Sequence, residues 1–167
     1  ALKTLNDKSI PEELQFKATS LNNIGYVYLN LKNYSQARNY FEDGLKQNKL
    51  FIENTPLYAM LLDNLAYAKF KLKETDEVPE LFYRSLKIRD SLHLTSGLII
   101  NKTHLSEYFY SKNDTTKAIQ YAKQALNLSR STKQLRSILE SLKQISIVDP
   151  KNASAYSKEY IQINDRL

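Results

Sequence analysis

Two histidines, His93 and His104, are the only imidazoles in the chain, and eleven residues separate them. A helical metal site or a histidine general base needs a partner about one turn away, as in a His-Glu-x-x-His run, and neither histidine has one. The expected roles are surface for His93 and packing for His104. The chain has no cysteine, which removes thiolate nucleophiles and cysteine-ligated zinc alike. Asp76, Glu77 and Glu80 do cluster, but at the start of an expected helix. Carboxylates there complement the positive end of the backbone dipole, so capping accounts for them without general acid chemistry. Three glycines in all leave no glycine-rich phosphate loop, and no serine, histidine and aspartate form an oriented set. The glycosylation triplets at Asn33, Asn101, Asn113 and Asn152 read as polar caps or helix surface. No catalysis, metal or cofactor is expected.

What the chain does carry is material for packing. It has 167 residues, 42% of them hydrophobic, with twelve tyrosines, six phenylalanines and only four prolines. That length suits one compact unit, and that apolar content excludes a disordered chain. Leu21, Ile24, Gly25, Tyr28, Ala37, Phe41 and Gly44 return 41 residues later as Leu62, Leu65, Ala66, Lys69, Val78, Phe82 and Ser85. A third unit, 40 residues on, supplies Leu105, Ser106, Phe109, Ala118, Ala122 and Ala125, and a fourth begins at Leu142, Ile145 and Ser146. Within each unit, apolar residues recur three or four apart in two stretches, and strand alternation is missing. A period near forty residues made of paired amphipathic helices predicts a stacked array, not an ordinary four-helix bundle.

The helices are expected near 12–31, 34–49, 56–72, 76–91, 96–112, 115–130, 134–148 and 153–166, after a residual helix at 1–8. Asn33 is placed to cap the helix opening at Tyr34, with Gln36 at capping-box spacing, and Thr55 before Pro56 marks another start. Pro11 and Pro79 also suit first helical turns. Small residues, Gly25 or Ala66 on the first helix of a pair and Ala37 or Val78 on the second, allow a close crossing.

Charge narrows the partner. The formal net charge is +6, and the excess lies in residues 101–167, which sum to +5. Those lysines are spread around the helices without a dense cluster, so nucleic acid is not expected as a partner. No run approaches the roughly 18 apolar residues that cross a bilayer, so no direct membrane insertion is expected.

The small, large and tyrosine positions of Leu21-Asn22-Asn23-Ile24-Gly25-Tyr26-Val27-Tyr28, followed by Asn33-Tyr34-Ser35-Gln36-Ala37 and Tyr40-Phe41, resemble the tetratricopeptide repeat family in its longer form. Residues 18–131 carry three such repeats, with departures at Lys69, Val78 and Ser106, and Val148-Asp149-Pro150-Lys151-Asn152 leads into an atypical last hairpin. The resemblance implies an all-α fold, a right-handed α–α superhelix of antiparallel hairpins. Its units would be a truncated repeat at 1–8, repeats at 12–49, 56–91 and 96–130, and the terminal repeat at 134–166. Residues 153–167 are also similar to the final repeat of bacterial regulators, the sensory halves of membrane-linked histidine kinases or helix-turn-helix transcription regulators. That would make the chain an extracytoplasmic or cytoplasmic portion of a larger signalling protein.

In the family, one face of each first helix lines the concave surface. The corresponding residues are Asn22, Tyr26, Leu29 and Asn30, then Asp63, Tyr67, Phe70 and Lys71, then Thr103, Glu107 and Tyr110, with Ser111, Lys143 and Ile147 beyond. Tyrosine offers ring area together with a hydroxyl, and asparagine both donates to and accepts from a peptide backbone. The resemblance therefore implies a protein or peptide partner, centred on Asn22, Tyr26, Asp63 and Tyr67. The competing expectation is an assembly role, a homo-oligomer formed through the terminal helices.

Overall fold

In the computed structural model, described over residues 12–48, 55–74 and 76–165, every regular element is helical. The order is α1 (Glu12–Asn30), α2 (Tyr34–Asn48), α3 (Pro56–Lys71), α4 (Val78–Ser91), α5 (Thr95–Ser111), α6 (Thr115–Thr132), α7 (Leu135–Val148) and α8 (Ala153–Asn164). A single 3₁₀ turn, Pro150–Asn152, precedes α8. These are the helices expected from periodicity, with ends moved by one or two residues. The expected helix at 1–8 and the turn at Pro11 lie outside the described residues. The chain divides into two compact units, residues 1–88 and 89–167.

The forty-residue period is written into the backbone. Lys32, Lys73 and Asn113 end the first helix of successive pairs with φ of 58°, 64° and 61°, and His93 and Lys133 end second helices at 54° and 57°. At the first of these turns the N–H of Lys32 donates to Leu29 O and that of Asn33 to Tyr28 O, both at 2.9 Å. The same pair of bonds recurs from Lys73 and Glu74 and from Asn113 and Asp114. This left-handed closure satisfies carbonyls that a helix end leaves open. Lysine and histidine hold it against the steric preference for glycine.

Within the first unit, α1 and α2 meet where Gly25 lies under the Phe41 ring: a Cβ on Gly25 would come within 2.6 Å of Phe41 Cε1. Tyr28 and Tyr40 stack beside this crossing with centroids 5.4 Å apart. Gly44 of α2 performs the same service for α3, since a Cβ there would meet Leu61 Cδ2 at 2.8 Å. Ser85 of α4, at the position of Gly44 one repeat on, donates its hydroxyl to Ala59 O at 2.7 Å.

The second unit repeats the scheme with polar substitutes. Ser106 takes the place of Gly25 and donates to Ala118 O at 2.9 Å, so its hydroxyl is satisfied inside the crossing. Phe109 and Tyr121 stack at 5.7 Å, as Tyr28 and Tyr40 do. Ser129 and Ser141 join α6 to α7 at 2.7 Å. The last hairpin turns on Asp149, a buried carboxylate that accepts from both Asn152 Nδ2, at 2.9 Å, and the Tyr156 hydroxyl, at 3.3 Å. Burial, then the Asp149 charge, holds the Tyr156 phenol above its ordinary range.

Two capping expectations divide. Asn33 Oδ1 accepts from Gln36 N at 3.3 Å and Thr55 Oγ1 from Tyr58 N at 3.2 Å, as the spacing predicts. The reciprocal half of the Asn33 box is not formed, because the Asn33 N–H is already given to Tyr28 O in the left-handed closure. Glu77 also departs from its expected role. It precedes α4, and its carboxylate reaches Lys69 Nζ at 2.7 Å, which lowers its pKa through a hydrogen bond and the lysine charge.

Candidate functional site

An α-helix puts residues at i, i+4, i+7 and i+8 on one side, so Asn22, Tyr26, Leu29 and Asn30 share a face of α1, and Asp63, Tyr67, Phe70 and Lys71 share the same face of α3. The two helices are tied along this side. Asn22 Oδ1 accepts from Asn64 Nδ2 at 3.0 Å, and Asn22 Nδ2 points to Met60 Sδ at 3.3 Å. Asn22 is thereby spent on packing, buried with its amide engaged at both ends. Asp63 is fully buried as well. Neither reaches the surface expected of a contact residue, and for Asn22 the reason is that it lies at the seam where α1 touches α3.

The residues one turn further along do reach solvent. Tyr26 is 51% exposed, Asn30 is exposed, and Leu29, Tyr67, Phe70 and Lys71 are half-buried. Tyr67 and Phe70 meet edge to face at 6.1 Å, and the Lys71 ammonium sits 4.8 Å from the Tyr67 centroid and 5.0 Å from that of Phe70. A cation over two rings is attracted to both faces and leaves an aromatic surface with a positive edge. The α1 and α3 faces together thus present a row of tyrosine, amide and ammonium groups above a buried amide seam.

In the second unit, Tyr110 is exposed at the end of α5, with Thr103 and Glu107 half-buried on the same face. The Thr103 hydroxyl bonds back to Ile99 O at 2.9 Å within its own helix. On α7, Lys143 and Ile147 are exposed. Gln144 Nε2 donates to Ser106 Oγ at 3.2 Å, so α5 and α7 are joined by a buried polar pair just as α1 and α3 are. Sequence reasoning missed both seams. The Asn22 partner is Asn64, one position away from the strict 41-residue equivalent, and only the helix rotation in three dimensions selects it.

Among the described residues no group of three or more histidines and carboxylates comes together as a metal site. No described helix is long and apolar enough to cross a membrane.

Paired helices with glycine-sized crossings, left-handed turns every forty residues and a solvent-facing first-helix surface define a helical-repeat scaffold. Residues 16–91 match the tetratricopeptide repeat family model, so that segment carries tetratricopeptide repeats. Its all-α fold of antiparallel hairpins is that of tetratricopeptide-like solenoids. Solved structures agree on the fold. BtubC (BKLC) from P. vanneervenii superposes with a TM-score of 0.81 at 15% identity, over 95% of this chain and 67% of that one. A Podosopora anserina putative kinesin light chain with nearly identical TPR-like repeats gives 0.67 at 16% identity, over 89% and 72%. A point variant of that kinesin light chain gives 0.68 at 15%, over 95% and 75%. No curated protein matches by sequence. Tetratricopeptide repeats generally serve as protein-interaction modules.

Proposed function

We propose that the chain is a non-catalytic protein- or peptide-binding domain, and that the first-helix face of its first unit is the contact surface. The observation that carries this reading is the exposed Tyr26 beside the Tyr67, Phe70 and Lys71 cluster. These are large side chains with polar tips on rigid helices, the composition that binds partners at low entropic cost. The contact set is Tyr26, Leu29, Asn30, Tyr67, Phe70 and Lys71, with Asn22 and Asp63 supporting it from below. In the second unit, Thr103, Glu107 and Tyr110 offer a smaller surface of the same kind.

The resemblance of residues 153–167 to the final repeat of bacterial regulators supports a role as the sensory or interaction portion of a larger signalling protein. In that setting occupancy of the tyrosine face would bias helix packing, and the change would pass to an output domain.

A peptide library displayed on phage and selected on the folded chain supplies the probe. Replacing Tyr26 and Tyr67 together by alanine should lower the affinity of selected peptides at least tenfold while the helical circular dichroism is kept. Peptides that bind the folded double variant unchanged would place the contact surface elsewhere.

A further inference from the structure

A second surface on α1 lies away from the tyrosine face. Phe16, Ile24, Val27 and Leu31, with Ser20 between them, fall within about 80° of one another on the helix. All four are exposed, at 75%, 42%, 56% and 70%. The internal repeat supplies a control for these positions. Forty-one residues on, Ile24 becomes Leu65 and Val27 becomes Ala68, and those are 5% and 0% exposed in α3, against which α2 packs through Gly44 and Leu61. The α1 stripe is therefore a helix-packing face of the same register, without a helix on it among the described residues.

The last described helix, α8, does not carry a matching face. On α8, Ser157 and Asn164 are polar and exposed. Ile161 is the one large apolar side chain that α8 exposes strongly. A copy added head to tail would thus set a polar helix against an apolar one.

We infer that two copies of this chain associate through α1 packed antiparallel on α1 of the second copy, across a two-fold axis between Asn23 and Ile24. The stripe reads nearly alike in both directions, with steps of four, four, three and four residues from Phe16 to Leu31. The antiparallel register sets Phe16 opposite the second copy's Leu31 and Ser20 opposite its Val27, large with large at the ends and small with branched near the centre. Charge favours this face too. The chain bears a net charge of +6, yet residues 19–31 contain no charged side chain. Two copies repel each other least where this neutral stripe meets itself. The inference is independent of the tyrosine face, which looks out from another side of α1.

The absence of native cysteine makes the test direct. Asn23→Cys, beside the axis, should form a disulfide-linked dimer under mild oxidation, whereas Asn127→Cys, exposed on α6, should not. Sedimentation equilibrium should show a dimer that Val27→Glu with Leu31→Glu converts to monomer; both positions are exposed, so helicity should be unchanged. A monomer at all concentrations up to about 100 μM would overturn the inference, as would a dimer indifferent to the two glutamates. A chain that dimerises only after residues 1–11 are deleted would also overturn it, by showing that the chain's own N-terminal segment occupies the stripe.

Discussion

The two hairpins of the first unit solve the same packing problem with different chemistry. In α1–α2, Gly25 admits the Phe41 ring and Tyr28 stacks on Tyr40. One repeat on, Ala66 and Phe82 occupy the equivalent positions, both fully buried, but Lys69 and Leu81 stand where the stacked tyrosines were. Lys69 instead pairs with Glu77 at 2.7 Å and approaches Glu42 at 3.9 Å, while Arg38 reaches Glu74 at 2.6 Å. Rings close one hairpin; ion pairs tie the next to α2 and to its own turn. The crossing itself, set by the Gly25 and Ala66 positions, tolerates little, whereas the mouth of the hairpin accepts either solution. Steric fit at the crossing is absolute, and the outer contacts need only be favourable.

That contrast orders the expected effects of substitution. Phe41→Ala should cost about 3–5 kcal/mol in a chemical unfolding titration, since the ring is fully buried. Gly25→Ala alone should destabilise by forcing the ring to move, yet in the Phe41→Ala background it should restore stability by filling the space and improving helix propensity. The sign reversal tests whether the crossing is governed by that one contact; a glycine change of the same sign in both backgrounds would break the contrast. Next in size, Tyr28→Ala should remove about 0.5–1.5 kcal/mol of ring stacking beyond the lost area. Lys69→Met should cost less, up to about 1 kcal/mol, because its carboxylate partners are partly or largely exposed. Equal costs for both would show that the ion pairs bind as firmly as the rings.

How far the sequence reaches follows the same division. Spacing alone located all eight described helices, because small and large residues at a crossing are irreplaceable and so recur. It also placed the Asn33 and Thr55 caps, which depend on chain neighbours only. It failed where two helices had to be rotated against each other. Asn22 and Asp63 belong to the tyrosine face by register but are buried, Asn22 because its amide bonds to Asn64 where α1 meets α3. Glu77 looked like a capping acid from its position, and nothing local to it announces Lys69 eight residues earlier. The exposed α1 stripe was hidden for the opposite reason: Ile24 reads as an ordinary core position of the repeat, and only its exposure tells that no described helix covers it.

The turns offer a finer comparison, since both first-unit hairpins use a lysine in the left-handed region, Lys32 and Lys73. Glycine at either should stabilise by about 0.5–1 kcal/mol, the relief of side-chain crowding less the entropy that glycine loses on folding. The two gains should be alike in thermal unfolding of otherwise identical chains. A larger gain at Lys32 would mean that the Lys73 turn is already relaxed by the Glu74 and Glu77 contacts around it.

The smallest expected difference is electrostatic, and its direction is fixed by Glu77. Its carboxyl is held below the ordinary value of 4.5, first by the hydrogen bond from Lys69 and then by the lysine charge. A carboxyl whose folded pKa is depressed adds stability above its unfolded pKa and loses it as pH falls through the folded one. Amide exchange at the start of α4 should therefore quicken, relative to the α1–α2 crossing, as pH drops from about 5 to about 3, once the intrinsic pH dependence of exchange is divided out. Raising salt to about 1 M at neutral pH should act on the same amides in the same direction, because the Debye length shrinks to about 3 Å. The α1–α2 crossing is closed by stacked tyrosines in place of this pair and should respond less to both. Parallel responses in the two hairpins would mean that the Lys69 cluster sits on the surface of α3–α4 without holding it.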